Sequence, residues 1–239
     1  MKTAILSDIH ANLQALEAVL EDCEKQGVGE YWLLGDYIDY GANPVEVIKL
    51  LSDLGNKITH AIGGNHDAGL FGLTNKIIDD YTWYTERLFN ENYKDFDWLR
   101  KIAATETEYA LDGKAILVHG SIRNPYWGGP SAWFVHFHDL DQHGCDWIFC
   151  GHTHHQLIKT KNNAYFTGNE PVNISGQKAI INPGSVGQPR NGSTKANYAI
   201  LEDNIITFRR VRYDIDAAVN AIKDAGLPDW CGTRLYSGW

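Results

Sequence analysis

The 239-residue sequence has few cysteines, few cationic residues and no long apolar run, and each scarcity excludes a class of protein. Its four cysteines, Cys23, Cys145, Cys150 and Cys231, contain no Cys-x-x-Cys pair, so we expect reduced thiols rather than a disulfide framework. Lys and Arg total 21 against 30 Asp and Glu, a net charge of −9. This acidic balance disfavours a general nucleic-acid coat and a protein that binds anionic membranes.

The N-terminal apolar run is too short for a signal-peptide core, and no run is long enough to span a bilayer. Together with the cysteine pattern, this makes the cytoplasm the expected location. A content of 44% hydrophobic and 21% charged residues is ordinary for a globular chain. We expect residues 1–239 to form a single domain, with an aromatic-rich helical insertion at about 71–105.

Short apolar runs alternate with amphipathic stretches, which predicts an α/β fold with parallel strands in the first half. In the first 62 residues, strands are expected at 3–7, 31–34 and 58–62, and helices at about 12–26 and 44–54. The insertion is expected to hold two helices. Further strands are predicted at 107–111, 115–119, 146–150, 178–182, 197–201 and 204–211, and further helices at about 131–143 and 214–225.

Five predicted strands are each followed by Asp, His or Asn, often beside a glycine. The segments are Ser7-Asp8-Ile9-His10, Gly35-Asp36 with Asp39, Gly63-Gly64-Asn65-His66-Asp67, His119-Gly120-Ser121 and Gly151-His152-Thr153-His154. Ligands bind outside the carboxyl ends of strands in open α/β sheets, so these side chains are expected to meet at one edge. Each motif alone occurs by chance in turns and cores, whereas one metal site explains all five together.

In this order, the motifs Asp-x-His, Gly-Asp-x-x-Asp, Gly-Asn-His-Asp, His-Gly and Gly-His-x-His resemble the calcineurin-like metallophosphoesterase superfamily. The segment from Asn182 to Arg190 resembles its bacterial and archaeal branch of small phosphodiesterases, so the resemblance runs from Asp8 to about residue 190. It implies a four-layer α/β/β/α sandwich with metal ions at the edge between the two sheets.

The resemblance also implies two divalent metal ions bridged by Asp36. One ion would be held by Asp8, His10, Asp36 and His154, and the other by Asp36, Asn65, His119 and His152. This mixed nitrogen and oxygen set favours manganese, with iron, zinc and nickel as alternatives. Two such ions against two carboxylates leave a positive site that accepts a phosphate group and a hydroxide derived from water.

The resemblance assigns a role to one more residue, and the sequence suggests roles for four others. His66 occupies the position of the catalytic histidine that protonates the leaving alkoxide. Asp67 either orients His66 or forms a turn, and Asp39 either orients a ligand histidine or caps its loop. Arg123 and Arg190 either contact substrate phosphate or pair with surface carboxylates. The loop 124–133 and the insertion could line the cleft and stack a base, although the insertion's aromatics are expected mainly to pack its helices.

The resulting hypothesis is a binuclear phosphoesterase that cleaves phosphodiester or nucleotide-type substrates by attack of a metal-bridging hydroxide. The first alternative is hydrolysis of dinucleoside polyphosphates such as diadenosine tetraphosphate. A serine/threonine protein phosphatase is disfavoured by Asp67, which replaces the glutamate expected there. A non-catalytic metal-binding scaffold is disfavoured because all seven ligand residues and His66 are present. A mononuclear metal hydrolase acting on amides would differ in its metal count.

Overall fold

The computed structural model describes residues 1–75, 79–128, 133–162 and 165–239. The strands are β1 (Thr3–Leu6), β2 (Glu30–Leu33), β3 (Ile58–Ala61), β4 (Thr107–Ala110), β5 (Ala115–Val118), β6 (Trp147–Phe149), β7 (Gln156–Thr160), β8 (Tyr165–Phe166), β9 (Val172–Asn173), β10 (Ala179–Pro183), β11 (Ala196–Glu202) and β12 (Ile205–Val211). The α-helices are α1 (Leu13–Gln26), α2 (Pro44–Asp53), α3 (Asn65–Leu70), α4 (Thr82–Glu91), α5 (Asp97–Ala103), α6 (Trp133–His143), α7 (Ile215–Asp224) and α8 (Asp229–Thr233).

These strands form two six-stranded sheets. The first has the order β3-β2-β1-β11-β12-β9 and the second β4-β5-β6-β10-β7-β8. In the first sheet β1, β2 and β3 are parallel, and in the second β5, β6 and β10 are parallel. Each sheet therefore brings three strand ends, with the polar segments that follow them, to one edge.

Alternating side chains on the strands separate the layers. In β1, Leu6 packs toward α1 and α2, whereas Ile5 packs with residues of the second sheet. In β5, Leu117 faces the inter-sheet core and Ile116 packs with Leu140 of α6. Because alternate residues of a strand face opposite sides, one apolar core lies between the sheets and another covers each outer face. The expected α/β/β/α arrangement is confirmed.

Local signals fixed several helix ends near their predicted positions. The Asn12 side chain accepts a hydrogen bond from the Ala15 amide at 3.1 Å, and Gly27 ends α1 in the left-handed conformation. Pro44 occupies the first turn of α2, where its missing N–H is not needed. In the insertion, α4 and α5 confirm the two expected helices.

Two helices were not predicted, and one prediction is only partly covered. Residues 65–70, for which no element was predicted, form α3, and the five-residue α8 had no apolar periodicity long enough to reveal it. Of the helix predicted at 131–143, residues 131 and 132 lie outside the described residues. In the described part of the chain, no helix is long and apolar enough to span a membrane.

Candidate metal centre

The polar segments meet where the carboxyl ends of the two sheets face each other. The His152 amide of the second sheet donates to Asp8 Oδ1 of the first at 3.2 Å, although 144 residues separate them. In the described residues, three groups have ligand atoms within 4.8 Å of one another: Asp8 with His10 and His154, Asp36 with His119 and His152, and His10 with Asp36 and His66. A cleft opens above this edge. We call the seven predicted ligand residues its floor: Asp8, His10, Asp36, Asn65, His119, His152 and His154.

Most of the floor depends on an unusual backbone conformation. Asp8, His10, Asp36, His152 and His154 all have φ values between 49° and 65°. This left-handed region costs a non-glycine residue roughly 1–2 kcal/mol. Backbone strain of this kind persists only where surrounding contacts enforce it, and it concentrates at functional sites.

The contacts that enforce it come from neighbouring strand ends. The amides of Asp8 and His10 donate to the carbonyls of Gly35 and Asp36, both at 3.0 Å. From the second sheet, Ser185 Oγ donates to the Asp8 carbonyl at 2.7 Å, and the Gly187 amide donates to it at 3.0 Å. The glycine-rich turn that begins at Asn182 therefore lies beside the metal-ligand edge and fixes the end of β1.

Two glycines in the motifs are required by close approach. A Cβ atom at Gly64 would overlap the Asp36 carboxylate, and one at Gly151 would overlap the Ser7 hydroxyl and crowd Asp8. The side chains of the floor can approach one another only because these positions carry no side chain.

Three histidines are oriented by backbone carbonyls. The Nδ1 atoms of His10, His119 and His154 lie 3.0, 2.7 and 2.6 Å from the carbonyl oxygens of Ile38, Leu34 and Gln188. A carbonyl only accepts hydrogen bonds, so each Nδ1 carries the proton and each Nε2 points into the site. Metal-binding histidines are commonly held by this arrangement.

The contacts among the Nε2 atoms fit a bound cation. The Nε2 atoms of His10 and His154 lie 3.2 Å apart. Burial lowers the pKa of both rings, and neighbouring histidines lower that of His10 further. With both rings neutral, two lone pairs face each other, an arrangement that a shared cation would stabilise. Asp8 Oδ2 beside them is buried without a hydrogen-bond partner among the described residues. We conclude that this donor set fits a divalent metal.

The second group is centred on Asp36. His119 Nε2 lies 3.0 Å from Asp36 Oδ2 and 3.1 Å from Asn65 Oδ1, and His152 Nδ1 lies 2.9 Å from the same Asn65 oxygen. Burial opposes charge on His119, but Asp36 outweighs it and raises the pKa to about 9. At pH 7 His119 therefore carries a proton on Nε2, between the ring and Asp36, and a metal bound by these two residues would replace it. His152 is neutral at pH 7, since burial and then His119 lower its pKa to about 4.

Asp36 links the groups, as a bridging ligand would. Its Oδ2 atom lies 3.0 Å from His119 Nε2 and 3.8 Å from His10 Nε2. Burial opposes the ionised form of Asp36, but His119 and His66 outweigh it and hold the pKa well below its ordinary value. For Asp8 the effect of burial is likewise outweighed, first by His154, and its pKa is lowered. Both carboxylates are therefore ionised and available to a cation.

Asp39 and Asp67, the two aspartates expected to support the site, bind different partners. His66 Nδ1 lies 2.8 Å from Asp39 Oδ2, so Asp39 orients His66. The Asp67 carboxylate instead accepts from the amides of Asp36, Tyr37 and Gly64 at 2.7, 3.0 and 2.9 Å. Of the two roles left open for Asp67, orienting His66 is not the one seen, because its carboxylate lies under the Asp36 loop and binds backbone amides there. Burial disfavours charge on His66, but Asp36 and then Asp39 raise its pKa above the ordinary value.

The two candidate arginines differ in their surroundings. Arg123 makes bonds of 2.9 to 3.2 Å to the buried Asp139, which is 2% exposed, so its expected role as a phosphate contact is not supported. Arg190 lines the cleft above the floor; its Nη2 donates to Gln188 Oε1 at 3.0 Å. Its Nε is buried without a partner among the described residues.

The cleft above the floor encloses about 150 Å³ and is lined on its sides by Tyr40, Tyr81, Trp127 and Arg190, which we call the wall. Tyr40 packs edge-on against His10, with ring centroids 4.8 Å apart, and stacks on Tyr81 at 4.2 Å. As expected, the insertion and the loop after residue 124 each contribute, although residues 129–132 lie outside the described part. Most other insertion aromatics, such as Phe96, pack in the core.

Comparisons with known proteins agree with this geometry. The calcineurin-like phosphoesterase superfamily domain matches residues 1–204. The chain is 36% identical to an uncharacterised protein of Methanocaldococcus jannaschii, over 98% of this chain and 97% of the other. It is 34% identical to a metallophosphoesterase of Sphaerobacter thermophilus with a crystal structure, at a TM-score of 0.85, with 100% and 99% of the chains covered.

A more distant relative has a named activity. The symmetrical bis(5′-nucleosyl)-tetraphosphatase of Cronobacter sakazakii is 28% identical over 55% of this chain and 47% of its own length. The chain thus spans about half of that relative. With the residues of the floor in place and the family match covering residues 1–204, the chain belongs to the calcineurin-like phosphoesterase superfamily, metal-dependent enzymes that hydrolyse phosphoric esters.

Proposed function

We propose that this protein is a phosphoesterase with two metal ions, most favourably manganese, acting on phosphodiester or nucleotide-type substrates. The observation that carries the proposal is the position of Asp36 between two groups of ligands, near His10 on one side and His119 on the other. Asp8, His10 and His154 would complete one ion's ligands, and Asn65, His119 and His152 the other's. When bound, the ions would neutralise phosphate charge and lower the pKa of bound water toward about 7.

His66 has the environment of a general acid. Asp39 accepts the Nδ1 proton of His66, so in the charged ring Nε2 carries the second proton, which a leaving alkoxide requires. Its raised pKa, to which Asp36 and Asp39 contribute, keeps a larger fraction of the ring charged near pH 7. The ring lies at the cleft surface, and its centroid is 4.9 Å from that of His10. We therefore assign protonation of the leaving group to His66.

The wall supports a substrate with an anionic and a flat part. Arg190 offers guanidinium donors to a phosphate oxygen. Trp127, 37% exposed beside the cleft, presents an aromatic surface on which a nucleobase can stack. The substrate is accordingly proposed as a small phosphate ester carrying an aromatic group. The buried, unpaired cysteines of the described structure support a location in the cytoplasm.

Residues 1–239 are proposed to act as one domain. Helix α7 contacts α1. The apolar cluster around α7 and α8 includes Tyr81, which lines the cleft, and Ala42, which lies two residues after Tyr40 of the wall. The C-terminal helices are thus part of the same packed body as the floor.

The test is hydrolysis of bis(p-nitrophenyl) phosphate by manganese-loaded protein, with chelated protein as the blank. We expect turnover that depends on metal, with two metal ions per chain by elemental analysis. A loaded protein with two ions and no turnover would contradict the diester proposal and favour a monoester, a polyphosphate or a scaffold role. A metal count of one would contradict the binuclear centre.

The second candidate is a dinucleoside polyphosphate hydrolase, favoured by the Cronobacter sakazakii relative over half of this chain. Diadenosine tetraphosphate is offered to the loaded protein and the products are separated by anion-exchange chromatography. Symmetric cleavage gives ADP alone. A kcat/KM for this compound well above that for nucleotide diesters would place the polyphosphate first.

A further inference from the structure

The segment Gln188-Pro189-Arg190 follows the glycine-rich turn beside the metal-ligand edge. Gln188 is 2% exposed, and its main chain is fixed on both sides. Its amide donates to Ser185 Oγ at 2.7 Å, and its carbonyl accepts the Nδ1 proton of His154 at 2.6 Å. The main chain of Gln188 therefore orients a residue of the floor.

The side chain of Gln188 holds the arginine that lines the cleft. Arg190 Nη2 donates to Gln188 Oε1 at 3.0 Å, and the Arg190 amide donates to the His154 carbonyl at 3.3 Å. Pro189 lies between the two residues, and its ring fixes one backbone dihedral there. Arg190 is thus fixed through its side chain to Gln188 and through its main chain to His154. The bond to Gln188 uses one of the five N–H groups of the guanidinium, which leaves donors for a ligand.

An amide can hold Arg190 without neutralising its charge. A carboxylate at position 188 would pair with the guanidinium group and cancel its charge, whereas an apolar side chain would leave the group unheld. The Gln188 amide also carries a cost, because its Nε2 atom is buried without a hydrogen-bond partner among the described residues. A buried donor without a partner destabilises a fold, so packing alone does not account for a glutamine at this position. The contact between its Oε1 atom and Arg190 does.

We propose that Gln188 is a positioning residue that links the metal centre to phosphate binding. Its carbonyl orients His154, and its amide oxygen holds Arg190 at the cleft with its charge intact. This inference rests on the proposed function, in which Arg190 donates to a phosphate oxygen. Because the guanidinium group is held before the substrate binds, less conformational entropy is lost when the phosphate arrives. The contact therefore acts on KM more than on kcat.

The test measures the affinity of methylphosphonate, whose P–C bond a phosphoesterase does not hydrolyse. The compound is titrated calorimetrically into metal-loaded protein from which excess metal has been removed. Gln188→Met, which keeps the size of the side chain and removes the acceptor, is expected to weaken binding about threefold to tenfold. Arg190→Ala is expected to weaken it about tenfold, and Gln188→Glu, which cancels the charge of Arg190, is expected to resemble Arg190→Ala. In diester hydrolysis, Gln188→Met should raise KM with a smaller change in kcat.

A double variant that combines Gln188→Met with Arg190→Ala separates positioning from a structural role. If Gln188 acts through Arg190, its replacement has no further effect on the affinity of a chain that already lacks Arg190. Two effects that multiply in the double variant would overturn the inference, as would wild-type affinity in Gln188→Met or in Arg190→Ala. If Gln188→Met does not fold, judged by its thermal unfolding, Gln188→Asn takes its place, because its shorter side chain withdraws the acceptor from Arg190.

The matched control is Gln156→Met. Gln156 is also a buried glutamine whose Oε1 atom accepts from an arginine, Arg210 Nε at 2.7 Å, but neither residue lines the cleft. This variant loses hydrogen bonds within the fold, so we expect it to unfold at a lower temperature and to bind methylphosphonate with unchanged affinity. A loss of affinity equal to that of Gln188→Met would show that reduced stability alone weakens binding, and would overturn the inference.

Failure of the inference and failure of the proposed function give different results. If the wild type hydrolyses bis(p-nitrophenyl) phosphate and Arg190→Ala weakens phosphonate binding while Gln188→Met does not, the positioning role is wrong and the phosphoesterase proposal stands. If no diester is hydrolysed but phosphonate binding depends on Gln188 through Arg190, the positioning role stands and the diester proposal fails.

Discussion

The floor of the cleft is made of buried strand ends, whereas its wall is made of side chains from separate loops and is exposed in part. Asp8 and His119 are fully buried and fixed by several backbone contacts, while Trp127 is 37% exposed and Arg190 half-buried. The floor needs fixed positions because the proposed pair of bridged metal ions would tolerate little displacement. The wall is the part that we propose contacts the substrate, and side chains on loops can differ between relatives without disturbing the floor.

The largest expected effect comes from removing the link at the centre of the floor. We expect Asp36→Asn to lose binuclear metal loading and to reduce kcat/KM about a thousandfold or more, because the charge shared by both ions is removed. Metal per chain and diester turnover are measured together. Asp53→Asn, an exposed carboxylate paired with Lys49, is the control. Two ions still bound by Asp36→Asn would contradict the bridge.

The second prediction separates the acid from the ligands of the floor. His66→Ala is expected to keep the metals and to lose about 10²- to 10⁴-fold in kcat, the contribution of a general acid. Unchanged turnover at unchanged metal content would remove His66 from the mechanism.

A pH profile tests the role of Asp39. An acid works only while protonated, so turnover falls as pH rises through the pKa of His66. Asp36 and Asp39 raise that pKa, against burial, and Asp39→Asn removes part of the stabilisation. We therefore expect the alkaline limb of kcat to move to lower pH in Asp39→Asn. An unmoved limb would show that Asp39 does not act through His66.

The fourth prediction contrasts two arginines. Arg190→Ala is expected to raise KM about tenfold with a smaller change in kcat, through loss of phosphate hydrogen bonds. Arg123→Ala is expected to leave KM unchanged and to lower the free energy of unfolding by about 2 kcal/mol, because it strands the buried Asp139. Kinetics and urea denaturation of both variants separate the two effects. Equal KM shifts would contradict the division.

The smallest expected effect is on the free energy of unfolding and comes from Asp22, a residue away from the cleft. Burial disfavours the Asp22 carboxylate, but bonds from Arg209 and Tyr198 lower its pKa below the ordinary value. A group with a lowered folded pKa stabilises the fold above its unfolded pKa of about 4 and ceases to do so as pH falls through the folded value. Asp22→Asn should cost about 1 kcal/mol of unfolding free energy at pH 7, since solvent screens the pair, and little at pH 2. A pH-independent difference would contradict this origin.

The sequence predicted the floor far better than the wall. Each ligand residue follows an apolar strand directly, so the order of strands and motifs was sufficient to bring Asp8 and His152 together. Tyr40 was missed because its orientation depends on a left-handed φ of 64°, and no residue pattern marks a tyrosine for that conformation. The two roles left open for Asp67 could not be separated because α3 was not predicted.

The separation of the ligands along the chain determines when the metal centre can form. Asp8 and His154 belong to different sheets, and they meet only after the inter-sheet core has closed over the intervening chain. Contacts of such long range form late in folding because loop closure opposes them. Bound metal should therefore leave the refolding rate nearly unchanged and slow the unfolding rate, because it stabilises the folded state and not the transition state of folding. Stopped-flow refolding and unfolding with and without manganese would show on which rate the metal acts.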